Sequence, residues 1–269
     1  MKPVRLFAAA AAVSAIALVQ SACANLCPGC CSSECRPEIV ATYTKTPVAL
    51  DGKLSDPMWQ KTPAYELMHS RTAWDKSPSA VRKFFANGVA EPGKVRLLWD
   101  DKYLYIGIEF TDSDVVAEAP EDQQHHYLKG DVAEVFLKPM NQTWYWELYA
   151  TPTGNKTAFF FPGRGVLGLP SGFPEKTLAL KNLKTAAAFD GTLNNSWDRD
   201  KKWTAEMAVP IAEVGMIGEK LTPEIPWLIF FGRYNYSRYL PVRENSSFPQ
   251  QESGNYHFYE DYGLLKLVK

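Results

Sequence analysis

Two acidic residues, Asp131 and Glu134, stand three positions apart and are the first candidates for acid–base chemistry in this chain. Cleavage of a glycosidic bond requires two opposed carboxyl groups about 5–10 Å apart, one of them with a raised pKa. The segment around both residues has the composition of a β-strand, and residues three apart on a strand project from opposite faces. They therefore cannot flank one bond. The sequence also lacks the G-x-S-x-G, H-E-x-x-H, P-loop and dinucleotide-binding motifs, so we expect that the protein is not an enzyme.

Metal binding has two candidate segments. His125 and His126 are adjacent, and neighbouring strand residues point to opposite faces, so the pair rarely shares one ion. We interpret them and the nearby acids as solvated loop charges. Asp112 and Asp114 place oxygen ligands at a spacing that is typical of calcium sites. We expect no cofactor and no metal at a functional site, and leave a structural calcium ion as an alternative.

All five cysteines lie within thirteen residues near the N-terminus, at Cys23, Cys27, Cys30, Cys31 and Cys35. Four of them remain after either mode of N-terminal processing, and an even number in an exported chain favours two disulfides. Four thiolates could instead bind zinc, although adjacent cysteines make a tetrahedral site awkward. Free or intermolecular thiols are the third alternative. The C-x-x-C-H motif is absent, which excludes covalent c-type haem.

Residues 1–24 have the order of a secretory signal: basic residues at Lys2 and Arg5, an apolar run over 6–19, then small residues. Cleavage after Ala24 would release the protein, whereas lipidation of Cys23 would make it a bacterial cell-envelope lipoprotein. We therefore expect an exported protein, with membrane contact only through a lipid on Cys23. Residues 25–38 form a Cys-rich tether, and residues 39–269 form one domain.

The composition bounds the class of partner. The net charge is −1, so the chain offers no basic field for nucleic acid or an anionic membrane. Aromatic residues reach 13 %, and we assign most of them to a core while some stay available for stacking against a ligand.

The pattern predicts roughly ten short strands and one or two short helices, which indicates an all-β antiparallel sandwich. The clearest hairpin is Val95–Trp99 with Tyr103–Thr111, where apolar residues alternate with period two. Asp56–Trp59 and Ile211–Val214 are predicted helical turns, and 71–93 a loop. The other predicted strands are Ile39–Thr46, Asp131–Lys138, Trp144–Ala150, Thr157–Phe161, Leu183–Phe189, Trp203–Val209, Trp227–Tyr236 and Leu264–Val268.

Five motifs along the chain resemble carbohydrate-binding module family 9. They are D-G-K-L-S-D-P-M-W at 51–59, V-R-L-L-W-D-D-K-Y-L-Y at 95–105, D-V-A-E-V-F-L at 131–137, W-T-A-E-M-A-V-P at 203–210 and Y-G-L-L-K-L at 262–267. The resemblance covers about residues 40–269. It implies a jelly-roll-like β-sandwich that binds a poly- or oligosaccharide without catalysis, in polysaccharide capture or breakdown.

The resemblance also implies a site in which a sugar is clamped between two aromatic rings above a carboxylate. Tyr127, or Leu128 with a shift of one residue, stands where the first ring is expected, and Tyr256 stands at the second; both positions usually carry Trp. The carboxylate carries over as Glu134.

Further site residues follow from neighbouring strands. Where the family can place a basic residue, this chain has Glu147, so the sign of the charge is reversed. Arg233 could supply the missing cation because its guanidinium is a fork-shaped donor. Asn235 and His257 are additional candidates for hydrogen bonds to sugar hydroxyls.

Two other functions remain open at the level of sequence. Related sandwiches bind haem through Met and His or Lys, and Met68, His69 and Met140 are conceivable ligands. A surface interaction protein without a sugar site is the other alternative, and the absence of the usual Trp pair favours it.

Overall fold

The computed structural model describes residues 36–166 and 180–269. The predictions for the signal segment 1–24, for lipidation of Cys23 and for the four remaining cysteines therefore lie outside the described residues, as does most of the tether 25–38. The folded unit begins at Arg36, whose guanidinium donates 2.7 Å hydrogen bonds to the carbonyls of Glu260 and Tyr262. No helix within the described residues is long and apolar enough to span a membrane.

The domain is built from strands, which confirms the predicted all-β class. The twelve strands of the described residues are β1 (Glu38–Tyr43), β2 (Ala64–Glu66), β3 (Gly93–Trp99), β4 (Tyr103–Thr111), β5 (Val132–Pro139), β6 (Tyr145–Ala150), β7 (Lys156–Phe161), β8 (Lys184–Asp190), β9 (Lys202–Pro210), β10 (Trp227–Asn235), β11 (Glu244–Phe248) and β12 (Gly263–Val268). The helices are α1 (Ser79–Phe84) and α2 (Ile211–Val214), with short 3-10 helices at Pro57–Lys61, His126–Leu128 and Tyr259–Asp261.

The strands are hydrogen-bonded in the order β7-β6-β5-β10-β12-β1-β3-β4-β9-β8, with β11 beside β10 and β2 beside β3. All strand pairs are antiparallel except those of β1, which runs parallel to both β12 and β3. The path folds into two layers, and β1 joins one to the other. Inward-facing residues of both layers form the main core.

The β3–β4 hairpin shows why the sequence pattern was informative. Leu104, Ile106, Ile108 and Phe110 alternate along β4 and are fully buried in the main core, as the period-two pattern predicts. The second layer has a different design, because its strands bury both faces. Their outward side chains form a second aromatic cluster around Phe136, and this face carries the candidate site.

One buried carboxylate explains two of the sequence motifs. Glu206 on β9 accepts hydrogen bonds from the backbone of Asp51 (2.7 Å) and Gly52 (2.7 Å) and from the Trp59 indole (2.8 Å). Gly52 has a φ of 75° and packs against the backbone of Ala187, so a side chain there would be strained and would clash. The D-G…W segment at 51–59 is therefore held to the strand motif at 203–210 through Glu206.

Two strands and one α-helix were not predicted, nor were the 3-10 helices at His126–Leu128 and Tyr259–Asp261. Helix α1 lies inside the segment 71–93 that was expected to be a loop, and β2 is only three residues long. Strand β11 has the polar sequence ENSSF, because Glu244 points into a buried hydrogen-bond network instead of an apolar core. Hydrophobic alternation cannot signal such a strand.

Candidate functional site

The outer face of β5, β6, β7 and β10 carries a cavity of about 410 Å³. Alternation along these strands sends one set of side chains into the main core and the other into the cavity. The described side chains that line it are His125, Tyr127, Glu134, Phe136, Glu147, Tyr149, Phe159, Phe161, Tyr234, Asn255, Tyr256 and His257. Five of the seven predicted site residues are thus brought together: Tyr127, Glu134, Glu147, Tyr256 and His257.

Two buried carboxyl groups face this cavity from neighbouring strands. In the strand register Glu134 is opposite Tyr149 and Glu147 is opposite Phe136, so the two glutamates are diagonal neighbours. Glu147 accepts a hydrogen bond from the Tyr149 hydroxyl. Glu134 is 2 % exposed, and its Oε1 atom has no hydrogen-bond partner among the described residues.

The surroundings of the pair favour the protonated forms. Burial raises the pKa of Glu134 well above its ordinary value, and the charge of Glu147 raises that pKa further. Burial also raises the pKa of Glu147 to about 7. No Lys or Arg is among the described residues that line the cavity, so the protein itself supplies no cation inside it.

The aromatic side chains form walls, but not the expected clamp. The half-buried Tyr127 ring lies 5.4 Å from Tyr234 and 6.4 Å from Tyr149, measured between centroids. Tyr256 is only 4 % exposed, and its hydroxyl is 2.9–3.0 Å from the carbonyls of Arg233 and Ser246. Tyr256 is therefore packed into the sheet instead of projecting opposite Tyr127.

A glycine accounts for the position of Tyr256. Gly232 on β10 lies directly beneath its ring, and a Cβ atom at that position would come within 2.4 Å of it. The missing side chain lets the ring lie against the strand. Tyr234, two residues further along the same face, contacts Tyr256 at 5.4 Å in an edge-to-face arrangement, so Tyr234 separates the two rings that were predicted to form the clamp.

Two histidines contribute half-exposed rings at the cavity. His257 forms a 2.7 Å hydrogen bond with the Tyr145 hydroxyl, and its ring is 5.0 Å from Phe161. Burial lowers the pKa of His257, which keeps the imidazole neutral near pH 7. The ring of His125 lies 4.8 Å from Phe159. Its position beside the cavity differs from the predicted solvated loop charge.

Arg233 and Asn235 do not face the cavity, which corrects their predicted placement. They alternate with Tyr234 on β10 and so project to the opposite face. Arg233 is fully buried and donates hydrogen bonds to the carbonyls of Glu91 (2.7 Å) and Thr111 (2.8 Å) and to the Asp112 carboxylate (3.1 Å). Asn235 donates to the Glu91 carboxylate at 2.8 Å. Both residues therefore hold the sandwich together.

Sequence reasoning missed Tyr149, Tyr234, Phe136, Phe159 and Phe161. A signal existed for Phe136 and Tyr149, since residues two positions from Glu134 or Glu147 on a strand must share their face. Phe159 and Phe161 could not be placed in this way because the pairing of β7 with β6 is not evident from sequence.

A second cavity of about 230 Å³ adjoins the first, with Gly254 and Tyr256 lining both. Its other walls come from the loop after β2 and from β11. Trp74 stacks one face on Phe85 at 4.3 Å and is also part of the cavity lining. The Arg243 guanidinium lies 4.5 Å above the Tyr234 ring and donates a 3.1 Å hydrogen bond to Asn245. The two cavities are neighbours on the outer face, and together they are called the groove below.

Asp112 and His69, candidate ligands for calcium and for haem iron, have partners within the protein. Asp112 binds Arg233 through one oxygen and the backbone N–H of Asp114 through the other, so its carboxylate is committed to the protein. No group of three or more His, Cys, Asp or Glu side chains with metal-binding geometry occurs in residues 36–166 and 180–269. His69 uses both ring nitrogens, one with Glu244 (2.8 Å) and one with the Trp74 indole (3.1 Å), which leaves none for haem iron.

Fold and site together define a β-sandwich with an aromatic-walled groove on its outer face. Residues 50–158 match the family model described as carbohydrate family 9 binding domain-like, which confirms the resemblance predicted from sequence. That family consists of non-catalytic carbohydrate-binding modules, in agreement with the prediction that the chain is not an enzyme. A search of curated proteins found no significant match.

Solved structures share the fold at low sequence identity. A provisionally assigned carbohydrate-binding protein from Bacteroides uniformis ATCC 8492 superposes with a TM-score of 0.65 at 11 % identity, covering 86 % of this chain and 98 % of that one. A family 9 carbohydrate-binding module from Caldicellulosiruptor kristjanssonii, solved with cellotriose, gives a TM-score of 0.52 at 16 % identity over 86 % and 93 % of the two chains. The same module with glucose gives 0.52 at 15 %, over 86 % and 95 %.

Proposed function

We propose that this protein binds an oligosaccharide or polysaccharide chain in the outer-face groove, without cleaving it. The observation that carries the proposal is the buried Glu134 carboxyl, whose Oε1 atom lacks a partner and which lines an aromatic-walled cavity. A buried polar atom without a partner costs free energy, so a site that retains one is suited to a ligand that supplies the missing hydrogen bond.

The chemistry of the cavity matches the two kinds of surface on a sugar ring. A pyranose has apolar C–H faces, which pack on aromatic rings such as Tyr127, Tyr234 and Phe159. Its hydroxyl groups are donors that a carboxylate can accept strongly. Glu134 and Glu147 supply such acceptors, while Asn255 and the neutral His257 add polar groups at the edge.

The length of the groove supports a ligand of more than one sugar unit. The second cavity continues past Tyr256 and offers the Trp74 ring together with polar groups of Thr72 and Asn245. Cellotriose and glucose are the ligands of the similar module from Caldicellulosiruptor, which is consistent with an oligosaccharide for this fold.

A calorimetric titration of the purified protein with mono- and oligosaccharides tests the proposal. Glu134→Gln keeps the shape of the side chain but replaces one carboxyl oxygen with an amide nitrogen that cannot accept a hydrogen bond. We expect it to weaken binding by about 1–3 kcal/mol, the usual cost of leaving a buried polar group without its partner. Glu109→Gln is the matched control, because Glu109 is a half-exposed residue paired with Lys94 on the opposite layer.

The control variant should bind as the unmodified protein does. Equal affinities of the Glu134→Gln variant and the unmodified protein would place the ligand elsewhere. Release of reducing ends from any bound glycan would contradict the non-catalytic assignment.

We further propose that the protein is exported and presents this groove outside the cytoplasm. The order of basic, apolar and small residues in 1–24 supports export, with either a lipid on Cys23 or cleavage after Ala24. Mass spectrometry of the mature N-terminus separates the two forms. Comparison of thiol alkylation before and after reduction would test the proposed disulfides among Cys27, Cys30, Cys31 and Cys35.

A further inference from the structure

The first cavity is acidic and has no basic side chain among the described residues that line it. Glu134 and Glu147 both face it and both are at least 96 % buried, while Arg243, whose charge lowers the pKa of Glu134, lines the neighbouring cavity. The Arg243 guanidinium is already engaged with Asn245 (3.1 Å) and with the Tyr236 hydroxyl (2.9 Å). The cavity therefore combines two acids with aromatic walls and no internal cation.

From this arrangement we infer that the preferred ligand is a sugar carrying a positively charged amine, such as a hexosamine unit with a free amino group. The inference rests on the proposed sugar-binding function and specifies the class of sugar. An ammonium group has three donors, which suffice for the unpartnered Oε1 of Glu134 and for an oxygen of Glu147. The diagonal register brings both side chains within reach of one such group.

Preorganisation makes the preference physically reasonable. In many ion pairs the cost of removing the charges from water cancels the attraction between them. Here folding has already buried both carboxyl groups, and a bound cation would stabilise the negative charge that they acquire on losing their protons. A neutral sugar could accept or donate hydrogen bonds in the cavity but would leave both acids in their protonated form.

The aromatic walls argue for a sugar over a bare cation. A metal ion would need three or more oxygen or nitrogen ligands, and no such cluster exists in the described parts of the chain. The rings of Tyr127, Tyr234 and Phe159 surround the acids and match the apolar face of a pyranose. A sugar that carries an amine would contact both the aromatic rings and the two acids.

Three matched probes test the inference by calorimetry at pH 6.0 and low ionic strength: glucosamine, N-acetylglucosamine and glucose. The first two differ in whether the nitrogen is charged. We expect glucosamine to bind at least tenfold more tightly than either neutral sugar. Glu134→Gln and Glu147→Gln, each verified as folded by circular dichroism, should reduce that ratio to less than threefold, whereas Glu109→Gln should preserve it.

Proton release provides a second readout. A cation beside the two acids should expel the protons they hold, so titrations in buffers of different ionisation enthalpy should show release with glucosamine and little with glucose. The titratable or charged groups around the acids are Tyr149 on β6, Tyr234 on β10, and Arg243, His125, Tyr127, Tyr256 and His257 from the loops. Repeating the titration at pH 7.5, where the His257 imidazole with its lowered pKa is neutral, separates its contribution from that of the acids.

Three outcomes would overturn the inference. Equal or tighter binding of a neutral sugar would refute the charge preference while leaving sugar binding intact. Binding of ethanolamine as tight as that of glucosamine would show that the ring contributes nothing. Absence of binding by all three sugars and by their oligomers would refute both the inference and the proposed function.

Discussion

The layer that contains β5, β6 and β10 buries charged or polar groups on both of its faces, but the two faces differ in the partners of those groups. On the inner face Arg233 meets Asp112, Glu91 and two backbone carbonyls, so its charge is surrounded by acceptors. On the outer face Glu134 and Glu147 meet each other, one tyrosine hydroxyl and a cavity. Strand alternation along β10 places Arg233 in the inner cluster and its neighbour Tyr234 beside the outer one.

The difference separates a structural role from a binding role. A buried charge with a complete set of partners stabilises one arrangement of the chain, and removal of one member leaves the others unpaired. A buried acid that lacks a hydrogen-bond partner instead lowers the stability of the free protein, and a bound ligand can supply the missing hydrogen bond. Within the described residues, Arg233 Nε and Asn235 Oδ1 also lack a partner, so the distinction between the two clusters is the pairing of opposite charges, which only the inner cluster has.

The largest expected effect is on the inner face. Arg233→Met should lower the free energy of unfolding by about 3–5 kcal/mol, because Asp112 and Glu91 would remain buried without their cation. Urea denaturation measures the change. Arg71→Met, which removes an exposed pair with Glu252, is the control and should cost less than about 1 kcal/mol. Similar losses in both variants would erase the distinction between the faces.

The next effect is a dependence of stability on pH that originates on the outer face. The pKa of Glu147 in the folded protein is about 7, above its ordinary value, so its contribution to stability is complete below about pH 4.3 and is lost as the pH rises through 7. Glu147→Gln removes this titration. Relative to that variant, the unmodified protein should lose roughly 3 kcal/mol between pH 4.5 and 8.

Urea denaturation of both proteins at pH 4.5, 6 and 8 measures this difference. The sign of the change in unfolding free energy is informative. A carboxylate whose charged form has hydrogen-bond partners would make the protein more stable as the pH rises over the same range. Parallel pH profiles for the two proteins would mean that Glu147 ionises in the fold without penalty, and the outer face would then resemble the inner one.

These two faces also mark how far sequence reasoning reached. The period-two pattern of β4 and β10 fixed which residues alternate, and the five motifs implied the sandwich and the acid at Glu134. The pattern could not tell which face of β10 lies inward, because both faces are buried and both carry polar residues. Arg233 was therefore assigned to the wrong face, while Tyr234 between it and Asn235 was overlooked.

The prediction that Tyr256 forms one side of a clamp was wrong for a different reason. Its distance along the chain from the closing Tyr262-Gly263 pair suggested a projecting ring, but its burial depends on Gly232, which is far away in sequence and lies beneath the ring only after folding. The groove beyond Tyr256 depends likewise on β11, a polar strand with no hydrophobic signal. Contacts between distant segments set both features.

An intermediate effect concerns the aromatic wall. Tyr127→Ala should weaken binding of the ligand by about 0.5–1.5 kcal/mol, because one half-buried ring no longer covers the sugar face. Calorimetry measures the affinity, and thermal unfolding should change little. Tyr239→Ala is the control, since this ring lies beside Arg199 and Arg238, outside the residues that line the cavity. A large loss of stability with unchanged binding would show that Tyr127 supports the fold and does not contact the ligand.

The smallest expected effect tests whether the binding face continues past Tyr256. Trp74→Ala should leave the affinity for a monosaccharide unchanged and weaken a trisaccharide about three- to tenfold, because only a longer chain reaches the second cavity. Phe85 and His69 contact the indole, so a variant that retains a ring, Trp74→Phe, separates stacking of the ligand from support of these neighbours. If both variants weaken the monosaccharide equally, the second cavity is not a separate subsite, and Trp74 acts through the shape of the first.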